Sequence, residues 1–133
     1  MLKIENQFCE DLPFDNENAV REIIPVAVLL DNVRSPYNAG SILRTCECLG
    51  VEKLIFSGIT PTPENNKKLF SASKNALIPY EYCKNAIEYL LIAKQKRINV
   101  YSVEKTNCSI PINEAKISIP AIIVFGNEEF GID

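Results

Sequence analysis

The longest apolar run in the chain is the eight residues from Ile23 to Leu30, and it contains Pro25. A membrane-spanning helix needs roughly 20 apolar residues, so nothing here reads as one. Instead, Pro25-Val26-Ala27-Val28-Leu29-Leu30-Asp31 is short, carries β-branched residues and ends on a polar one. That is the pattern of a strand buried on both faces. Lys53–Phe56, Ile98–Val103 and Ala121–Phe125 read the same way, and the alternating stretch Ile78–Tyr82 reads as a shorter strand. Between them, Ile42, Leu43, Cys46 and Leu49 recur at helical spacing until Gly50. Ala86, Ile87, Leu90, Leu91 and Ala93 form an amphipathic pattern that ends in Lys94-Gln95-Lys96-Arg97, with cations at the negative end of the helix dipole. Residues 69–76 predict a short helical turn, and Asp15 is placed to cap a helix over residues 16–22. Strands alternating with helices predict an α/β domain on a mainly parallel sheet with helices on both faces. Ligands of such sheets bind beyond the carboxyl ends of the strands. This directs attention to residues 31–38, 57–60, 103–108 and 126–131.

A chain of 133 residues suits one domain, here residues 25–133 behind an extension over residues 1–24. Lys plus Arg number 14 against 17 Asp plus Glu, a net charge of −3. A nucleic-acid coat spread over the whole surface is therefore excluded, and any such contact must be a local patch. The chain has no histidine, which removes Ser-His-Asp and Cys-His catalysis. Its cysteines, Cys9, Cys46, Cys48, Cys83 and Cys108, are odd in number, and no apolar segment follows a basic start at the N-terminus. Free thiols in the cytoplasm are expected. Cys46 and Cys48 have no second pair to complete a zinc site, so no metal is expected.

Two constellations carry chemistry. Asn38 precedes the first long helix, as an N-cap would, and Arg44 lies six residues on, between Leu43 and Cys46. One reading is a capped helix with a solvated arginine. The other puts Arg44 near the core face, where it needs an anionic or hydroxyl-bearing partner. The second constellation is Phe125-Gly126-Asn127-Glu128-Glu129-Phe130-Gly131, two glycines bracketing two carboxylates just past a buried strand. It is either a surface turn or a place where a ligand lies against Gly126. No P-loop or dinucleotide fingerprint is present. Lys67, Lys68 and Lys74, then Lys94, Lys96 and Arg97, form basic clusters that are solvated faces or phosphate contacts. Tyr37, Phe70, Tyr80 and Tyr82 are either core aromatics or stacking platforms for bases.

Taken together these segments resemble the SpoU/TrmH family of RNA ribose 2′-O-methyltransferases, within the knotted SPOUT class. The stretch from Leu30 to Cys46, with Asp31-Asn32, Asn38 and Arg44-Thr45, is similar to the family's first motif. Residues Phe70–Pro79 resemble its lysine- and small-residue segment, with Asn75 where many relatives have glycine. The run from Ile123 to Ile132 resembles the second motif through Gly126, Glu128 and Gly131. The third motif is expected beyond residue 133, so the resemblance implies a domain incomplete at its C-terminus, without a complete knot and inactive alone.

The resemblance implies an enzyme that transfers a methyl group from S-adenosylmethionine to a ribose 2′-hydroxyl of tRNA or rRNA, working as a homodimer. Arg44, Asn38 and Glu128 then take the catalytic positions. Asn38 would orient Arg44 and the loop, and Glu128 would hold one or both. Val103, Gly126, Asn127 and Gly131 take the cofactor-binding positions, so a side chain at Gly126 is expected to displace the cofactor while leaving the fold intact. The alternative is a catalytically dead RNA-binding or dimerisation module on the same fold.

Overall fold

The computed structural model describes residues 22–132. The helix expected over residues 16–22 falls almost wholly outside them. The elements run β1 (Ile24–Asp31), α1 (Pro36–Cys48), β2 (Val51–Ser57), α2 (Lys67–Ser73), β3 (Tyr80–Cys83), α3 (Ala86–Gln95), β4 (Asn99–Val103) and β5 (Ala121–Phe125). All pairings between these strands are parallel, in the order β3-β2-β1-β5-β4.

The alternation in each strand divides the core between two faces. Val28, Leu30, Leu54 and Phe56 point to one side and pack with Leu43 and Cys46 of α1 and Leu69 of α2. Ala27, Leu29, Ile55, Ile122 and Val124 point to the other and pack with Ala93 of α3. Helices therefore cover both faces, as the sequence pattern predicts. Leu29 and Leu30, adjacent in β1, are both fully buried because their strand has a covered face on each side.

α1 begins one turn earlier than the sequence suggests. Ser35, not Asn38, is the N-cap: its hydroxyl accepts the Asn38 N–H at 3.2 Å, and Pro36 takes the first helical position. Asn38 is thus in the first turn, and its side chain is free for another task. The helix ends at Cys48, and Gly50 follows with φ of 72°, the left-handed geometry that closes helices. Arg44 is also not on the core face. Its side chain is 50% exposed and pairs with Glu47 at 3.3 Å.

α3 departs from its expected amphipathicity. Ala93 is buried and Leu90 partly so, but Ile87, Leu91 and Ile92 are exposed. The four aromatics Tyr37, Phe70, Tyr80 and Tyr82 are also exposed rather than core. Among the described residues the cysteines are free thiols, no group of acids and cysteines could hold a metal ion, and no helix is long and apolar enough to cross a membrane.

The loop after β2 is bound to the loop after β1 through one buried hydroxyl. Thr60 Oγ1 donates to the Leu30 carbonyl at 2.9 Å and accepts the Val33 N–H at 3.0 Å. Thr60→Val keeps the shape and removes the hydroxyl, leaving two buried backbone groups unpaired. It is expected to lower the free energy of unfolding by about 2–3 kcal/mol, read from urea unfolding curves.

Candidate functional site

The strand order reverses between β1 and β5. From β1 the chain builds outward through β2 to β3, then returns to place β4 and β5 on the other side. The loops leaving β1 and β5 therefore diverge, and the crevice between their ends is where open α/β sheets bind ligands. Asn38, Asn127 and Glu128, three of the residues singled out in the sequence, meet there.

Glu128 closes this crevice. One carboxylate oxygen accepts the Arg34 N–H at 2.9 Å, and the other accepts the Ser35 N–H at 3.0 Å and the Asn38 side-chain amide at 2.9 Å. Partial burial opposes its charge, but these donors outweigh that effect and bring its pKa down to about 2. Asn127 adds a second tie. Its side chain donates to the Asn32 carbonyl at 2.9 Å while its oxygen accepts the N–H groups of Glu129 and Phe130. Its backbone exchanges two bonds with Gly131, closing a tight turn. Exposed Arg34 and Glu129 face each other across the two loops at 3.8 Å.

Gly126 has a different reason to be glycine from the one read in the sequence. A Cβ built there would collide with the Gly131 carbonyl and the Ile132 side chain. The space is filled by the chain's own turn, so Gly126 serves close packing of that turn and presents no open cradle. The expectation that a side chain at Gly126 leaves the fold intact is therefore corrected.

Val103, at the end of β4, lines an open cavity of about 510 Å³ together with Glu104, Lys105, Ser109, Ile110 and Pro111. Glu104 joins this cavity to the crevice, since its carboxylate accepts the Ile132 N–H at 3.2 Å and packs against Gly131. Of the expected cofactor positions, Val103 faces this cavity, while Gly126, Asn127 and Gly131 form the turn behind Glu104. Arg44 stands apart. Six residues along a helix is a rotation of about 600°, which puts Arg44 and Asn38 on different sides of α1. Arg44 pairs with Glu47, whose other oxygen accepts the Leu77 N–H at 2.6 Å. Asn38 and Glu128 hold each other, and neither holds Arg44.

Residues 25–133 match the model of the SpoU rRNA Methylase family. The chain belongs to this family. It is 32% identical over 109 residues to a tRNA/rRNA methyltransferase of Mycoplasma genitalium that is itself uncharacterized, a match covering 80% of this chain and 45% of that one. It is 26% identical over 110 residues to the tRNA (guanosine(18)-2′-O)-methyltransferase of Thermus thermophilus, covering 80% and 55%. The fold is shared with the AdoMet-bound rRNA methyltransferase of Sinorhizobium meliloti, at a TM-score of 0.69 and 24% identity over 85% of this chain and 43% of that one. The chain spans about half the length of these two curated relatives.

Thr60 and Glu104 lie within the strand-end segments 57–60 and 103–108 that the sequence points to, but their individual roles are not legible there. Nothing in their spacing marks them, because each acts on a segment distant in the chain. Two outcomes test the geometry. Gly126→Ala is expected to destabilise the protein by about 2 kcal/mol or more through overpacking, measured by thermal unfolding, and to weaken hydrogen-exchange protection of the Asn127 and Gly131 amides. For Glu128, a folded pKa of about 2 against an ordinary 4.5 means that its ionised form stabilises the fold above about pH 4.5. That contribution falls away as the pH drops towards 2. The stability difference between wild type and Glu128→Gln should be constant near neutral pH and shrink across that window, read from unfolding curves at each pH.

Proposed function

We propose that this chain forms the catalytic fold of an RNA ribose 2′-O-methyltransferase that uses S-adenosylmethionine, with tRNA or rRNA and a second copy of the protein as its partners. The observation that carries this reading is the Glu128 clamp at the strand-order reversal, within a chain that belongs to the SpoU rRNA methylase family. The names of the relatives support RNA as substrate and the ribose 2′-oxygen as acceptor. The cofactor is supported by the neighbour described as AdoMet-bound.

The residues present fit that cofactor. The 510 Å³ cavity at the end of β4 is within the usual range of small-molecule pockets. Val103, Ile110 and Pro111 would offer apolar walls to the cofactor's adenine ring, and Glu104 and Ser109 would offer polar groups to its ribose hydroxyls and its methionine ammonium. When bound, S-adenosylmethionine supplies a methyl group on a sulfonium, ready for in-line displacement by an oxygen nucleophile.

The chain's own residues do the positioning. Glu128, through Asn38, Arg34 and Ser35, holds the loop after β1 against the loop after β5, so the crevice has fixed walls. Such preorganisation supplies much of the rate in a displacement between two bound groups. Arg44 presents a half-exposed guanidinium to RNA, with Glu47 steadying it. Arginine stays protonated in proteins, so its role is to hold the phosphate and stabilise the developing alkoxide at the 2′-oxygen, not to accept the proton.

The separation of Arg44 from Asn38 and Glu128 favours a second reading, an RNA-binding module without catalysis on the same fold. The test is transfer of radiolabelled methyl from S-adenosylmethionine to transcribed tRNA and rRNA by the purified protein. The product is mapped by alkaline hydrolysis, which spares a 2′-O-methylated linkage. Arg44→Ala is expected to lower transfer by at least ~100-fold, the effect of losing one preorganised charge stabiliser, with cofactor affinity nearly unchanged. Arg44→Lys should restore it only in part, since lysine lacks the planar fork. A wild-type rate for Arg44→Ala overturns the role of Arg44, and RNA retention without any transfer supports the second reading.

A further inference from the structure

Asn32 is the first residue past β1, and it turns the chain with a φ of 53°, in the left-handed region. Asparagine tolerates that region better than most residues with a side chain, and glycine tolerates it best. The turn on its own would be served equally well by glycine. What glycine could not supply is a side chain, and in Asn32 the side chain is fully engaged.

Asn32 bonds through both its backbone and its side chain. Its N–H donates to the Ser57 carbonyl at the end of β2 at 3.2 Å, and its carbonyl accepts the Asn127 side-chain amide at 2.9 Å. Its side-chain oxygen accepts the Ile59 N–H at 3.1 Å, and its side-chain NH2 donates to the Asp31 carboxylate at 3.2 Å. That last bond is charge-assisted, to a residue that is itself buried. One half-buried residue thus joins the loops after β1, β2 and β5.

Gly58 is fitted to this arrangement. Its φ is 61°, and a Cβ built there would collide with the Asn32 side-chain oxygen. The loop after β2 can close on that oxygen because residue 58 has no side chain.

The place of Asn32 in the chain gives these bonds a consequence. The next residue, Val33, has its N–H held by Thr60, and the two after it, Arg34 and Ser35, present their N–H groups to Glu128. The direction in which the chain leaves Asn32 therefore sets where the donors of the clamp point. Pro36 then starts α1, which carries Asn38 to the same carboxylate.

We infer that Asn32 is a positioning residue for methyl transfer: its side chain fixes the corner from which Arg34, Ser35 and Asn38 meet Glu128, and so sets the walls of the crevice. The inference rests on the RNA-methyltransferase reading above. The side chain is spent inside the protein, so it acts through these residues and not on the RNA or the cofactor.

The test uses Asn32→Gly, which keeps the turn and the carbonyl and removes only the two side-chain bonds. The comparison variant is Ile55→Val, which takes one methylene from the buried core within β2 and alters none of these loops. In NMR hydrogen exchange on the purified chain, the Arg34 and Ser35 amides of Asn32→Gly should exchange at least ~10-fold faster than in wild type. The Glu128 carboxyl should titrate about one pH unit or more higher, because its donors are less well aimed. Ile55→Val should leave both readouts at their wild-type values. In methyl-transfer assays Asn32→Gly should lower kcat about tenfold or more, with KM for S-adenosylmethionine and RNA within about twofold of wild type, whereas Ile55→Val should keep kcat. Wild-type exchange and titration in Asn32→Gly overturn the role. So does a wild-type kcat in that variant, or a loss of kcat that Ile55→Val shares. A wild-type protein that transfers no methyl overturns the methyltransferase reading and this role with it. The NMR readouts need no activity, so they separate that failure from a failure of Asn32 to hold the loop.

Discussion

β1 is the strand on which the rest of the fold depends. It bonds β2 on one side and β5 on the other, and its adjacent residues Leu29 and Leu30 are fully buried under opposite layers of helix. Each such leucine contributes on the order of 2–5 kcal/mol against truncation to alanine. Because β1 is central, its carboxyl end must lie beside the carboxyl end of β5, and the loops that leave these two strands must part. The crevice follows from the strand order.

A crevice made by diverging loops needs something to hold its width. Here a single carboxylate does so, by meeting the first N–H groups of the α1 approach and the Asn38 amide at once. The choice of a charged group suits the place. Charge-assisted bonds to backbone N–H are stronger than neutral ones, and the group stays ionised well below neutral pH because three donors face it. Asn127 performs the same function with a neutral amide on the other side of the turn, and Thr60 extends the bracing to the loop after β2. Crevice and clamp thus lie together at the carboxyl ends of β1 and β5.

The exposure of Arg44 and of the tyrosines has one physical cause, and it decides between the two readings that the sequence offers for each. Arg44 stands between Leu43 and Cys46, yet helical geometry turns it outward while they turn in. Tyr80 and Tyr82 alternate with Glu81, yet β3 is an edge strand whose outer face has no full layer of helix above it. Side-chain periodicity says which residues share a face. Whether that face is covered depends on what other parts of the chain bring to it.

The sequence alone determined that the domain is α/β with a parallel sheet, since short β-branched runs separated by helical spacing leave few other ways to bury them. It also singled out the segments after β1 and β5, and Asn38, Asn127 and Glu128 do meet there. The reason is local: strand ends, turns and helix starts are written in nearby residues. The packing role of Gly126 and the bonds of Thr60 and Glu104 were decided only in three dimensions, whereas the cap at Ser35 is a local bond to Asn38. Thr60 bonds Val33 and Leu30, 27 and 30 residues away, Glu104 bonds Ile132, 28 residues away, and Gly126 is fixed by a turn folding back onto its strand end. Strand order decides those encounters, and no window of sequence contains it.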